Sequence, residues 1–337
     1  MKSYEIRDAF GVDALTAVSD RPDPKPGPGQ VVVSVRAVSL NFRDLLLVRG
    51  EYTPKLRLPM TPCSDCAGEV AAVGDGVTRV KVGDRVAGIF MQTWLDGEVT
   101  EAKAKSALGG AIGGVLSEQA LLHENGLVHI PAHLSFEEAA TLPCAAVTAW
   151  HALIDEGAVK PGETVVTLGS GGVSLFALQF ARLAGARVIS TSSSGEKLAR
   201  LCGMGASDGI NYKTTPDWDK RVRELTGGAG AHHIVEVGGA NTLPKSLKAV
   251  RMGGRISLIG NVAGAGEVNP VPLLMKNVRM QGIFVGSREM FEAMNRAITT
   301  HSLRPVVDRV FPFDQAREAL HYMESGAHFG KVCIKVS

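Results

Sequence analysis

The sequence predicts an α/β protein built of a doubly wound parallel sheet together with a second, smaller domain of β-barrel-like character. Three observations carry this. From Thr164 to Thr191 an apolar run, a glycine-rich turn, an apolar-periodic helix and a second apolar run follow one another without interruption. From 196 to 285 strand-like and helical patterns keep alternating. From Val31 to Val86, by contrast, the strands are short and punctuated by glycine, which is the rhythm of a small barrel. A chain of 337 residues is long enough for both.

Taken in order, residues 21–30 (RPDPKPGPGQ) form an extended proline-glycine cluster, and Val31 to Val38 reads as a strand. NFRD at 41–44 closes that strand and leads into a short helical pattern. Ala67 to Val73 is a strand ending at Gly74-Asp75-Gly76, a hairpin-type turn, and residues 81–86 turn into another. Residues 94–114, with Gly109, Gly110, Gly113 and Gly114, read either as a flexible loop bordering a substrate cleft or as a plain connector. Leu116 to Leu122 and Val128 to Ile130 return to strand character, Ser135 and Glu138 make a capping-box pattern, and a helix is expected from about Ala145 to Glu156. Beyond the βαβ unit come helices near 196–204, 217–225 and 243–250, with strands at 209–212, 234–237, 255–259 and 278–285. The tail supplies a helix, a strand, a helix and a last strand, and returns to the first domain. The expected division is 1–124, 125–286 and 287–337.

The turn after Leu168 reads as a phosphate cradle. Gly169, Gly171 and Gly172 allow close backbone approach to a pyrophosphate, while the following helix offers unpaired N–H groups and the positive end of its dipole. Ser174 stands where the third glycine of a GxGxxG pattern would be. A strand before the turn and a helix after it are the context that makes this pattern informative. A site selecting NAD places Asp or Glu about 20 residues on, to accept from the ribose 2′-hydroxyl. Here Ser192, Ser193 and Ser194 stand there, with Lys197 one turn into the next helix. Hydroxyls and an ammonium suit a 2′-phosphate, so NADPH is the expected cofactor.

Composition excludes several classes. Net charge is +2 with both signs interspersed, and 5% of residues are aromatic, which argues against a nucleic-acid surface or an anionic membrane as partner. No apolar run reaches membrane-spanning length, and the first residues lack the core of a signal peptide. Five cysteines at 63, 66, 144, 202 and 333 suggest a reducing, cytoplasmic setting rather than a disulfide framework. Cys63 and Cys66 form a CxxC without a second pair at workable spacing, and His232-His233 enters a strand and reads as structural.

NFRD at 41–44, Gly68 to Val86, Thr141 to Leu153 and His328 to Val332 together resemble the medium-chain dehydrogenase/reductase superfamily over nearly the whole chain. The closer likeness is to its zinc-free quinone oxidoreductase and enoyl reductase branch. The resemblance implies a discontinuous GroES-like catalytic domain, a Rossmann domain and an active site in the cleft between them. At the catalytic ligand positions of zinc-dependent relatives this chain carries Asn41, Ser64 and Cys144, and the four-cysteine structural lobe has no counterpart. No metal is therefore expected.

The same resemblance implies site residues. Gly169, Gly171, Gly172 and Val173 would hold the pyrophosphate, and Ser192, Ser193, Lys197 and Tyr212 the 2′-phosphate. Thr148 and the backbone at Ile283, Phe284 and Val285 would flank the nicotinamide, with Gly330 and Lys331 closing on it. Asn41, Arg43 and Asp44 are the catalytic candidates. Many relatives carry Tyr where this chain has Phe42, so the proton source stays open. The expected function is NADPH-dependent reduction of an activated C=C bond or a quinone by a homodimer acting on a small electrophile. A zinc-free alcohol or aldehyde oxidoreductase and a non-catalytic NADPH-binding structural or sensor protein remain as alternatives.

Overall fold

A computed structural model of the protein describes residues 1–52, 56–262 and 266–336. They form two compact units: 1–147 with 285–337, and 148–284. The second unit is a six-stranded parallel sheet. Its strands run in the order Asp208–Asn211, Arg187–Ser192, Thr164–Leu168, Ala231–Glu236, Val250–Leu258, Arg279–Gly282. This is the Rossmann order 3-2-1-4-5-6, with its switch point between the first and fourth strands. Thr164–Leu168 is buried along its whole length, as a central parallel strand covered on both faces must be. The helix Gly172–Leu183 packs Leu175, Phe176, Leu178 and Phe180 inward, and positive φ at Gly185 ends it before the chain enters the second strand.

The sixth strand is shorter than expected. It spans Arg279–Gly282 rather than 278–285, and Ile283 N–H still donates to the Leu258 carbonyl at 2.9 Å. Val285 then adopts a φ of 59°, which a β-branched residue cannot hold within a strand.

The first unit is a seven-stranded sheet centred on the ten-residue strand Gln30–Ser39. One edge of that strand pairs antiparallel with Asp65–Val73. The other edge is shared, by Gln119–His123 along residues 30–34 and by Lys331–Lys335 along residues 37–39. Val31, Val33, Val35 and Val38 of this strand anchor the apolar core. The C-terminal strand thus lies directly beside the residues that lead into NFRD, which is the discontinuity the tail was expected to produce.

Residues 125–147, placed by the sequence reading in the nucleotide-binding domain, group with the first unit. The reason is pairing: Leu127–His129 hydrogen-bonds Arg85–Gly88, and the helix Phe136–Ala140, capped by Ser135 and Glu138, follows directly. The expected single helix from Ala145 is a run of three segments, Leu142–Ala146, Val147–Trp150 and His151–Asp155, whose outer two have the wider i→i+5 turn.

Residues 94–114 differ from the flexible loop considered above. They carry a short helix, Glu101–Ala104, capped by the Thr100 side chain. Trp94, Ala107 and Leu108 are buried, and a Cβ at Gly114 would collide with the carbonyls of Pro62 and Cys63. A small hairpin of Ser3–Glu5 and Thr16–Val18 and the helix Val271–Met275 are additional elements. No helix among the described residues is long and apolar enough to cross a membrane.

Candidate functional site

In the second unit the glycine-rich turn has the geometry of a ligand cradle. Gly169 sits at φ +76°, and its N–H is tied to the Thr191 carbonyl of the second strand. Gly171 is the N-cap of the helix that Gly172 opens, with Val173 half-buried in its first turn. A Cβ built on Gly169 or Gly171 would meet nothing within 4 Å, so the space over the turn is not filled by the unit's own side chains. Ser174, in place of the third glycine, is buried and donates its hydroxyl to the Leu168 carbonyl at 2.6 Å. The strand and the helix are thereby joined by a side chain rather than by bare backbone packing.

Beside this turn lies a cleft of ≈ 420 Å³. It is framed by the ends of four strands: Leu168 and Gly169 after the first, Thr191 on the second, Tyr212 after the third, and Val237 with Gly238 after the fourth. Trp218, Asn241 and Lys245 are among the other residues of its wall. The position is the carboxyl edge of the sheet at the switch point, where open α/β sheets hold their ligands. Glu236 organises one side of it. Its buried carboxylate accepts from the N–H groups of Gly238 and Gly239 at 2.8 and 3.1 Å, and from the hydroxyls of Thr242 and Ser246. Sequence reasoning missed this loop. The available signal was an acid at a strand end directly before a Gly-Gly turn.

The serine cluster is more differentiated than its sequence. Ser192 is 3% exposed, and its Oγ accepts the Ser194 N–H at 3.3 Å. Ser194 caps the helix Gly195–Gly203 by accepting the Lys197 N–H. Ser193 and Lys197 are half-buried, and Tyr212 is 41% exposed on the cleft wall. Glu196 in the first helical turn is exposed. Thr148 and Ile283 are buried and Phe284 is largely exposed. His232 and His233 are structural: His232 Nδ1 accepts the Thr164 N–H, and His233 Nε2 lies 2.9 Å from a Glu163 carboxylate oxygen.

In the first unit the structure brings the three catalytic candidates together with Lys331. Asn41 is the N-cap of the helix Phe42–Val48, and its N–H donates to Asp44 Oδ2 at 2.8 Å. The buried Lys331 donates to both the Leu40 carbonyl and Asn41 Oδ1, each at 2.6 Å. Beside them Asp65 Oδ1 accepts the Ser64 hydroxyl at 2.6 Å, and its Oδ2 accepts the Cys144 N–H at 3.1 Å. Gly330, buried at φ +94°, turns the chain into the last strand so that Lys331 faces inward, and Val285 is buried at the start of the returning segment.

Burial governs the electrostatics here. It pushes the Asp44 carboxyl up to about 6, with Arg43 pulling it back and Asp65 adding to the rise. Asp65 is also raised by burial, and the Lys331 ammonium is the strongest opposing influence. The Cys144 thiol is pushed up to about 12, first by burial and then by Asp65, and Cys66 likewise by burial. All five cysteines are unpaired.

Arg43 is engaged elsewhere than expected. Its guanidinium donates to the carbonyls of Leu108 and Gly109 at 3.1 and 2.9 Å and lies between the rings of Tyr52 and Phe90. It clamps residues 108–109 and pairs with Asp44 at 3.4 Å. Phe42 is 38% exposed. Among the described residues, the one group of three or more His, Cys, Asp or Glu side chains with ligand atoms within 4.8 Å of one another is His151, Asp155 and Glu156, which includes none of the cysteines.

Residues 27–132 match the alcohol dehydrogenase GroES-like domain, and residues 172–300 match the zinc-binding dehydrogenase family. A zinc-type alcohol dehydrogenase-like protein of Schizosaccharomyces pombe is 46% identical over 99% of both chains. Acryloyl-coenzyme A reductase of Metallosphaera sedula is 30% identical over 93% of this chain and 94% of that one. Among solved structures, an NAD-dependent alcohol dehydrogenase is 35% identical with a TM-score of 0.92, covering 100% of each chain. Quinone oxidoreductase of Escherichia coli, complexed with NADPH, is 26% identical with a TM-score of 0.85, again covering 100% of each.

Proposed function

The chain belongs to the medium-chain dehydrogenase/reductase superfamily and is an oxidoreductase using a nicotinamide cofactor, and from that premise we propose that it is an NADPH-dependent, zinc-independent reductase of activated C=C bonds or quinones. The observation that carries the reading is the Lys331 ammonium bound to Asn41 Oδ1 at 2.6 Å. A positive charge already stands at one of the three positions where zinc-dependent relatives place metal ligands. Ser64, at the second position, is a neutral hydroxyl that donates a hydrogen bond to Asp65 Oδ1, so Cys144 would be left as a single sulfur ligand without the two partners a catalytic zinc needs.

The cofactor, when bound, supplies a hydride at its nicotinamide. The residues present fit it: an open cradle at Gly169 and Gly171, a helix N-terminus opened by Gly172 behind it, and a cleft at the switch point walled by Tyr212 and Trp218. Ser193 and Lys197, at a strand end that carries no acid, favour a 2′-phosphate over a bare ribose hydroxyl. Thr148, Ile283 and Phe284 of this unit are assigned to the nicotinamide side by the family resemblance alone.

What the first unit's residues do decides the reaction. Alcohol oxidation requires an alkoxide, normally stabilised by a metal acting as Lewis acid. An enone or quinone gives a delocalised enolate or hydroquinone oxyanion, which hydrogen-bond donors in a dry site can stabilise. Asn41 Nδ2 is such a donor. Arg43 holds the 108–109 backbone, and Asp44 holds Asn41 in place. The unpaired cysteines are consistent with a reducing, cytoplasmic setting. A panel of quinones, enones, enoyl thioesters and alcohols, followed by NADPH absorbance, tests the proposal. Turnover of the first three classes with alcohols inert is the expected result, and the reverse rejects it.

A further inference from the structure

Lys331 is only 4% exposed, and its backbone is fixed by an N–H bond to the Val306 carbonyl at 3.0 Å and by the strand it opens. Burying an ammonium is costly unless its donors and its charge are met. Two of its three donors go to the Leu40 carbonyl and to Asn41 Oδ1. Its charge faces the carboxylates of Asp44 and Asp65, with the Arg43 guanidinium and the thiols of Cys63, Cys144 and Cys333 around them.

An ammonium carries donors only, so the amide atom facing it must be the oxygen; a turned amide would set donor against donor. The Asn41 side chain therefore has one permitted orientation. Its Nδ2 is buried beside the Asp65 carboxylate, whose upward shift it opposes as a donor, and neither of its two N–H groups makes a hydrogen bond of normal geometry among the described residues. A donor left in that condition costs stability, unless a ligand oxygen completes it.

We propose that Lys331 is a positioning residue that locks the Asn41 amide with its oxygen inward, presenting Nδ2 as the site's hydrogen-bond donor to a substrate oxygen, and that its ammonium is the resident cation of this metal-free site. This rests on the reductase reading above and deepens it. The lysine acts through Asn41, so its effect on turnover vanishes when Asn41 is gone.

The test is a double-mutant cycle of Lys331→Met and Asn41→Ala, with kcat and KM for a simple enone and the NADPH dissociation constant measured for each. Each single variant should lower kcat about tenfold or more, a larger factor than the one by which it weakens NADPH binding. The double variant should match the worse single one. Multiplying losses, or a kcat for Lys331→Met within about twofold of the wild type, overturn the proposal. Should Lys331→Met fail to fold, Lys331→Gln, one bond shorter, keeps an N–H donor group while removing the charge, and the same outcomes apply. A second readout needs no turnover. In protein labelled with ¹⁵N-asparagine, the Asn41 side-chain amide, assigned by its loss in Asn41→Ala, should shift or average in the Lys331 variant. An unchanged resonance overturns the positioning role. If the wild type reduces no enone or quinone, the reductase reading fails by itself, and the amide resonance still decides the role of Lys331.

Discussion

The Ser174 hydroxyl donates to the Leu168 carbonyl at 2.6 Å, so the helix behind the cofactor cradle is tied to the strand in front of it by one buried hydrogen bond. The third glycine of the usual pattern achieves closeness by having no side chain; here a hydroxyl achieves it by bonding. Ser174→Ala leaves the Leu168 carbonyl buried without that partner. It should cost about 1–2 kcal/mol in denaturant unfolding. An unchanged midpoint would show that the bond adds nothing.

Cofactor choice can be tested at Ser193 rather than at Ser192. Ser192 is 3% exposed, so an acid there would be buried and would confound binding with folding. Ser193 is half-buried at the end of the second strand. The wild type should bind NADPH at least about tenfold more tightly than NADH, and Ser193→Asp should erase or reverse the preference by repelling the 2′-phosphate. Fluorescence titration with both cofactors decides it, and equal wild-type affinities would contradict the assignment.

Asp44 gives a pH signature. Its carboxyl is raised by burial from 3.8 to about 6, so the folded state holds its proton more tightly than the unfolded chain does. The resulting burden is absent below the unfolded value and grows as pH rises through the window from 3.8 to about 6. By linkage it reaches on the order of 3 kcal/mol. Asp44→Asn can still accept the Asn41 N–H but does not ionise. It should therefore be more damaging at pH 4 than at pH 7.5, as read by denaturant unfolding at each pH. A difference that is the same at both would refute the shift.

The sixth strand, Arg279–Gly282, is exposed at all four residues, and the preceding helix exposes Leu274 at 79% and Met275 at 69%. An unpaired edge beside apolar surface is normally covered. We expect two copies of the chain to pair there. Light scattering should give twice the 35.5 kDa chain mass at micromolar concentration. A monomer mass would contradict the pairing.

Much of this architecture was legible because local and global signals agree. The β-branched run at 164–168, the glycines after it and the 3.6-residue periodicity of 172–183 all point one way. The Ser135–Glu138 box marked its helix start to the residue. What stayed hidden depends on contacts distant in sequence. Nothing near Arg43 announces that its partners are the carbonyls of Leu108 and Gly109, and so a glycine-rich stretch read as loose is clamped. Lys331 was singled out by the family resemblance alone, and nothing in the sequence marks it as the partner of Asn41, 290 positions away. The domain boundary near 125 was misplaced because the strand Leu127–His129 has only three residues, and its membership is fixed by pairing rather than by pattern.

The most direct test of the central claim is the rate of NADPH oxidation by chelator-treated protein, shown to be zinc-free by elemental analysis, with a simple enone. It is compared with NADP⁺ reduction by the same sample with a simple alcohol. The account predicts full activity on the enone and little or none on the alcohol. Loss of enone activity on removing a stoichiometric zinc, or fast alcohol oxidation with the enone inert, would contradict it.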